Sequence, residues 1–242
     1  MTAIDINTTI GQLVVERPSR SRLFEHLGID YCCGGNQPLA VACQARGLDA
    51  GTVIKLLSAT EQDATEQPDH DWAQARLAAL AGHIEQTHHT YLRRELPRLT
   101  AMIDKVAHVH GQHHPWLSEL RGVFVAFVQE LDAHMLKEER VLFPMIRQLE
   151  AGESHAADHC GGVGNPVRMM EHEHDQAGAA LVTMRELTDG FTPPDGACNT
   201  FRAMLDALRE LEHDMHQHVH KENNILFPRA CRLEARQQGM CG

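Results

Sequence analysis

One pattern, H-x-x-x-E-x-x-x-L-F-P, occurs twice in this chain of 242 residues, with the two copies 84 residues apart. The first copy contains His134 and Glu138, and the second contains His218 and Glu222. Positions i and i+4 stack on one face of an α-helix, so each copy aims an imidazole and a carboxylate at the same point. Imidazole binds iron, copper, nickel and zinc, while carboxylates suit harder cations. The repeat therefore predicts two helices that share a metal site.

The residues that precede each copy predict helices whose apolar faces carry the motif. Apolar residues recur every three or four positions, which is typical of one buried helical face. The first face consists of Leu120, Phe124, Phe127 and Leu131, continued after the motif by Val141 and Met145, and the second of Phe201, Leu205, Leu208, Leu211 and Met215. A third helix has His174 at a core position. A further helix, the first in chain order, leaves His88 and His89 as rivals for its inward face, and Pro97 is expected to kink or interrupt it.

Two glutamates and at least three histidines thus fall on the apolar faces of different helices. Buried imidazoles and carboxylates cost free energy unless they are paired or bound. A dinuclear site with two carboxylates and four imidazoles accounts for them together, and its nitrogen-rich ligation indicates iron or zinc. A single histidine on an apolar face is more often a satisfied core residue, and a single H-x-x-x-E is often a surface pair. The repetition favours the metal site and indicates an internally duplicated two-helix hairpin.

The N-terminal part of the chain predicts a separate, smaller helical unit. Short helices are expected over residues 9–14, 21–28, 39–46 and 50–57, and the second is followed by Tyr31-Cys32-Cys33-Gly34-Gly35. Adjacent cysteines rarely bridge each other. The flanking glycines leave Cys32 and Cys33 accessible, which favours a redox or metal-transfer role over that of incidental buried thiols. Such a unit, with fewer than sixty residues, would be marginal alone and is expected to dock onto something else.

Composition sets the domain boundaries and excludes several classes of partner. A polar, proline-containing stretch predicts a linker at 61–71, between a helical domain at 1–60 and a bundle at 72–242, and the fold class is all-α. The net charge of −11, without a basic patch, argues against nucleic acid. No apolar run approaches the ~20 residues that span a bilayer. Seven cysteines without C-x-x-C spacing, and no secretory signal, favour a reducing cytoplasm.

The doubled motif resembles the hemerythrin-like HHE domain, a four-helix bundle that holds a non-haem di-iron centre. Together with Tyr31-Cys32-Cys33-Gly34-Gly35 it is more closely similar to the repair-of-iron-centres (RIC) family. Members of that family join an N-terminal ScdA-type domain, which bears the Tyr-Cys-Cys-Gly-Gly segment, to a hemerythrin-like domain. The resemblance covers nearly the whole chain, and the combination of motifs is specific.

The resemblance implies a set of site residues. It implies two non-haem iron ions with oxo and carboxylate bridges, held by His89, His134, Glu138, His174, His218 and Glu222. The family spacing to Pro97 selects His89 over His88, and Glu130 and Glu173 are expected near the site as supporting or access-channel carboxylates. The segment 154–162, with His155, His159 and Cys160, is richer in histidine and cysteine than the family pattern and is expected to be a flexible connector.

The resemblance also implies a function, namely repair of iron–sulfur clusters damaged by nitric oxide or oxidants, by donation of iron. Iron–sulfur proteins would be the clients and nitric oxide or dioxygen the small ligands, and a homodimer is left open. One alternative is an enzyme that reduces nitric oxide to nitrous oxide at the di-iron site, so whether the chain is an enzyme stays open. Another is a reversible dioxygen carrier, which is less favoured because no fifth histidine ligand is evident.

Overall fold

The structure, a computed structural model, describes residues 4–63, 71–152 and 162–239. In these ranges all regular elements are helices, and the one β-type pairing is an isolated bridge between Thr9 and Pro38. The predicted all-α class is confirmed. Among the described helices, none is both long and apolar enough to cross a bilayer. Residues 154–161, which include His155, His159 and Cys160, lie outside the described ranges.

Four short helices follow one another near the N-terminus. They are α1 (Ile10–Glu16), α2 (Arg20–His26), α3 (Leu39–Ala45) and α4 (Ala50–Asp63). Gly28 follows α2 with φ of 66°, the left-handed conformation in which glycine commonly ends a helix. The helix α4 ends at Asp63 and so includes the first three residues of the predicted linker, because Glu61 and Gln62 are good helix formers.

The chain divides into two compact units, and the first is built from both chain ends. It contains residues 1–80 and 219–242, so the N-terminal helices share a unit with a π-helical turn at Glu222–Leu226 and with α11 (Phe227–Gly239). The helix α1 packs directly on that π-helical turn. A helical unit of about sixty residues is marginally stable by itself, and this C-terminal segment extends its buried surface.

The second unit, residues 81–218, contains the long helices of the chain, whereas the bundle was predicted at 72–242. Its helices are α5 (Leu77–Ile84), α6 (Thr90–His110), α7 (Trp116–Lys137), α8 (Phe143–Ala151), α9 (Gly164–Leu187) and α10 (Asn199–Lys221), of which α5 begins and α10 ends in the first unit. The helix α7 packs against both α6 and α9. The predicted apolar faces are buried before each motif, with Phe124, Leu131, Leu205 and Leu211 each at most 4% exposed. The continuation of the first face is wrong at Val141, which is 45% exposed, because a π-helical turn at Glu138–Leu142 changes the helical register there.

The first bundle helix is not interrupted at Pro97, and a kink at this residue stays a prediction. The helix α6 runs through this proline without interruption, because Leu96 and Leu99 on either side of it are buried in the core and hold the helix in place. The departure from α-helical geometry lies earlier, in a π-helical turn at Glu85–His89 that joins α5 to α6.

Candidate metal centre

Each copy of the repeated motif forms a π-helical turn that begins at its glutamate, at Glu138–Leu142 and at Glu222–Leu226. In the first turn, the N–H of Phe143 donates to the carbonyl of Glu138, five residues before it. Pro144 has no N–H, and in an α-helix its ring would clash with the carbonyl four residues earlier. The wider turn relieves this clash, so the Leu-Phe-Pro segment explains the local geometry. Such π-helical turns occur frequently at functional sites.

A third π-helical turn, at Glu85–His89, carries the two adjacent histidines that the sequence left as rivals. Both are buried, with His88 at 3% and His89 at 0% exposure, but they have different partners. His88 Nδ1 donates to Asp214 Oδ1 at 2.8 Å, whereas His89 Nε2 lies 3.3 Å from Glu138 Oε2. The wider turn therefore brings both rings inside, and His89 is the one that faces the carboxylate of the motif.

Glu138 lies at the centre of the cluster, between two pairs of imidazoles. Its Oε2 is 3.3 Å from His89 Nε2 and 3.4 Å from His134 Nε2. His134 Nε2 is in turn 3.1 Å from His174 Nε2, and the rings of His89 and His218 are 5.1 Å apart between centroids. The ligand atoms of each imidazole pair and of Glu138 lie within 4.8 Å of one another. The predicted ligands of the second unit are therefore brought together around one carboxylate.

The chemistry of Glu138 tests whether these residues fit a metal. Both of its carboxylate oxygens are fully buried, and neither makes a hydrogen bond with any described residue. A buried carboxylate without hydrogen bonds is costly, and a bound cation removes that cost. The surrounding imidazole nitrogens add ligands that iron and zinc accept. The residues therefore fit two metal ions, one at each imidazole pair, with Glu138 shared between them.

Glu222, the remaining predicted ligand, is grouped with the first unit. It is fully buried and follows His218 by four residues in an unbroken helical run, because α10 ends at Lys221 and the π-helical turn begins at Glu222. Its role as a bridging ligand remains a prediction. Cys32 and Cys33 also belong to the first unit, in the loop between α2 and α3.

The Glu173 carboxylate orients the ring of His134 through Nδ1, the ring nitrogen that does not face Glu138. His134 Nδ1 donates to Glu173 Oε2 at 2.9 Å, and Lys137 forms an ion pair with the same carboxylate. These contacts outweigh burial and lower the pKa of Glu173 to about 2, with the hydrogen bond from His134 as the largest cause. With its Nδ1 proton held in this way, His134 presents its Nε2 lone pair toward the centre, which is the usual arrangement for a metal-bound histidine.

The same arrangement recurs at His89. Its Nδ1 donates to Glu139 Oε1 at 2.7 Å, and Arg93 donates to both oxygens of that carboxylate, at 2.8 and 2.7 Å. Burial would raise the pKa of Glu139, but the hydrogen bonds from Arg93 and His89 outweigh it and hold that pKa below its usual value. Glu139 was not among the residues predicted from the sequence. Its position next to Glu138 in the motif was the one sequence feature that could have indicated it.

A cavity of about 190 Å³ opens beside one imidazole pair. Its lining includes the rings of His134 and His174, with Glu130, Lys137 and Glu173 around them. The structure thus places the two predicted carboxylates Glu130 and Glu173 at this cavity, and Glu173 also contacts a predicted ligand. The other pair, His89 and His218, is wholly buried and is not part of the lining. The two halves of the centre therefore differ in access.

Comparisons with known proteins agree with this geometry. Residues 80–230 match the hemerythrin HHE cation binding domain, and residues 6–61 match the ScdA_N domain, which is described as a domain of unknown function. The relatives include proteins named iron–sulfur cluster repair protein YtfE. The protein from Pectobacterium carotovorum subsp. carotovorum (strain PC1) is 40% identical over 227 residues, which cover 93% of this chain and 97% of the relative.

Two more of these relatives show the same extent of similarity. The protein from Edwardsiella ictaluri (strain 93-146) is 40% identical over 91% of this chain and 95% of its own length. The protein from Yersinia pseudotuberculosis serotype IB (strain PB1/+) is 38% identical over 94% and 98%. The chain therefore belongs to the hemerythrin HHE family and, over nearly its whole length, to the family of the YtfE iron–sulfur cluster repair proteins.

Proposed function

We propose that this chain repairs damaged iron–sulfur clusters by supplying iron from its histidine–glutamate centre. The observation that carries the proposal is the carboxylate of Glu138, which is fully buried, makes no hydrogen bond with the described residues and lies between two imidazole pairs. A bound cation would offset the cost of burying such a group. Relatives that align over more than nine tenths of the chain are named for cluster repair. We therefore infer that the bound iron is donated to damaged clusters.

The two imidazole pairs of the centre differ in their access to the cavity, which supports different roles for the ions they would hold. His134 and His174 line the cavity, so an ion on this side can exchange with a client. His89 and His218 are wholly buried and would retain their ion. Bound iron would supply the metal that a damaged cluster lacks. Glu173 and Lys137 keep the His134 ring oriented toward the centre, at the edge of the cavity where an ion held by His134 and His174 would exchange.

The proposal keeps iron–sulfur proteins as the clients. Nitric oxide or dioxygen as small ligands, a cytoplasmic location and a homodimer stay predictions from the sequence. The names of the relatives favour repair over the nitric oxide reductase and dioxygen-carrier alternatives.

Reactivation of a damaged enzyme tests the function. An iron–sulfur enzyme inactivated by nitric oxide is mixed anaerobically with the iron-loaded protein, and both the recovered activity and the iron left on the protein are measured. We expect recovery that matches the iron lost, with less than a tenth of it in Glu138→Leu. Glu119→Gln, an exposed change on the same helix, serves as the control. Full recovery with iron-depleted Glu138→Leu would rule the proposal out, and sustained nitrous oxide production with a reductant would support the reductase instead.

A further inference from the structure

The loop between α2 and α3 holds two neighbouring thiols at a defined separation. The sulfurs of Cys32 and Cys33 are 3.9 Å apart, well beyond the ~2.05 Å of a disulfide bond. Cys32 is 5% exposed and Cys33 is partly exposed. Both thiols are therefore reduced, and one of them gives the pair an opening to solvent.

The carboxylate of Asp30 fixes the turn on which both thiols sit. Its Oδ1 accepts hydrogen bonds from the backbone N–H groups of Cys32 and Cys33, at 2.9 and 3.0 Å. Its Oδ2 accepts one from the N–H of Gly34 at 2.9 Å. The Cys32 thiol also donates to Oδ1 at 3.1 Å. One oxygen and two sulfurs therefore lie within 4.8 Å of one another on a turn of five residues.

The sulfur separation matches that of a chelated metal. Two thiolates at about 2.3 Å from a tetrahedral ion lie about 3.8 Å apart, close to the observed 3.9 Å. A carboxylate oxygen at about 2.1 Å from the same ion would lie about 3.6 Å from each sulfur. The observed 3.1 Å between Asp30 Oδ1 and Cys32 Sγ is a hydrogen bond, and it lengthens by about half an ångström when a cation replaces the thiol proton.

The backbone around the thiols is held from the other chain end of the same unit. Asn224 Nδ2 donates to the carbonyls of Tyr31 and Cys32, both at 3.2 Å. A Cβ atom on Gly35 would lie 2.3 Å from Asn224 Oδ1, so the loop approaches this side chain as closely as a glycine allows. The two sulfurs and the carboxylate are therefore preorganised, and binding requires little ordering of the chain.

A metal ion that binds Cys32 would have to displace the proton of its thiol. The hydrogen bond with Cys33, burial and the nearby Asp30 carboxylate all raise the pKa of Cys32. The thiol of Cys32 therefore keeps its proton at neutral pH while no cation is bound. Thiolate ligands select borderline and soft ions such as zinc and iron over magnesium and calcium.

We propose that Asp30, Cys32 and Cys33 form a second metal site, which binds one thiophilic divalent cation of the Fe²⁺ or Zn²⁺ class through two thiolates and one carboxylate oxygen. Binding forms two metal–sulfur bonds and one metal–oxygen bond, and releases two thiol protons to solvent. The partly exposed side at Cys33 leaves a fourth position open to water or to an exchanging ligand. The inference stands on this loop alone and does not depend on the function proposed for the histidine–glutamate centre.

Cobalt binding tests the site, because thiolate ligation of Co²⁺ gives a charge-transfer absorption that imidazole and carboxylate ligands do not give. The full chain, with its iron loaded and its thiols reduced by a phosphine, is titrated anaerobically with Co²⁺. We expect one Co²⁺ per chain with the thiolate band, at least tenfold weaker binding in Cys32→Ser and in Cys33→Ser, and the full band in Cys231→Ser, a thiol on α11. Excess Zn²⁺ should remove the band, and Mg²⁺ should not.

The double variant Cys32→Ser/Cys33→Ser makes the outcome decisive. Its thermal unfolding is measured in parallel, so that loss of the band in a folded protein counts for the site. No thiolate band in the wild type, or a band that persists in the double variant, overturns the proposal. A band lost equally in Cys231→Ser would also overturn it, since that thiol lies outside the loop.

Discussion

Glu138 shows how a residue that suits a metal can destabilise the protein without one. Its carboxylate is fully buried and makes no hydrogen bond with the described residues, so the iron-free protein bears the cost of burying it. We expect Glu138→Leu to raise the free energy of unfolding of the iron-free protein by about 1–3 kcal/mol, because the leucine has a similar size and no charge to desolvate. Chemical denaturation of the iron-free variant and of the iron-free wild type measures this.

Iron removal supplies the matching control. A chelator should lower the unfolding temperature of the wild type, since a ligand at 100 times its Kd adds about 2.7 kcal/mol to the folded state. The same chelator should leave Glu138→Leu unchanged. A less stable iron-free variant would show instead that the imidazoles already satisfy the carboxylate in the absence of metal.

A second prediction concerns Glu173 and Glu139, the carboxylates that accept hydrogen bonds from Nδ1 of His134 and of His89. Glu173→Gln and Glu139→Gln each weaken the acceptor that orients a histidine, and removing such a support typically costs 10–100-fold in metal affinity. We expect losses of that size, measured by competition with a chelator of known affinity. Glu186→Gln, an exposed change on the same helix as Glu173, should bind iron like the wild type. Equal losses in all three variants would argue against a specific role.

The sequence indicates the metal ligands better than it indicates their supports. A motif such as His134 with Glu138 is visible because i and i+4 positions meet on any helix. The partner of His89 is Glu139, on a helical run fifty residues later, and this pairing depends on how two helices pack. His88 illustrates the same limit, because its contact with Asp214 is set by the packing of a third helix. Spacing within one helix is predictable, and register between helices is not.

At the scale of elements, the proline of each motif sets the helix geometry at its glutamate. Pro144→Ala restores an N–H that can donate to the carbonyl four residues earlier, so the π-helical turn at Glu138–Leu142 can close into an α-helix. That change would rotate Glu138 relative to the residues after it. We expect at least a tenfold loss of iron affinity with unchanged helix content, measured by metal competition and circular dichroism.

Pro97→Ala is the control for this prediction. Pro97 lies inside α6 with α-helical geometry, so its replacement should stabilise the helix and leave iron affinity as it is. If Pro144→Ala bound iron normally, the π-helical turn would be irrelevant to the site. The π-helical turns themselves were not predicted, because the sequence pattern shows helical periodicity on both sides and a proline alone indicates a kink rather than a wider turn.

At the scale of the molecule, the N-terminal residues form one unit with the last residues of the chain, a grouping that local sequence patterns do not reveal. Short helices near 10–57 were predictable from spacing, and the expected docking of this part was an argument from size. Its partner is the segment after His218, through contacts such as that of Asn224 with the carbonyls of Tyr31 and Cys32. Contacts between residues about 190 apart in the chain leave no trace in local periodicity.

This architecture makes the cysteine loop depend on a residue of the C-terminal helical run. Asn224→Ala removes a donor to the carbonyls of Tyr31 and Cys32, and a buried carbonyl that is left unsatisfied costs about 1–3 kcal/mol. We therefore expect faster amide exchange over residues 29–35 and at least tenfold faster alkylation of Cys32, with exchange in residues 90–137 of the other unit unchanged. Arg232→Ala, an exposed change on α11, should leave both rates at their wild-type values. Unchanged exchange in the loop of Asn224→Ala would mean that the Asp30 carboxylate holds the turn without help, whereas acceleration throughout the chain would mean that the two units unfold as one.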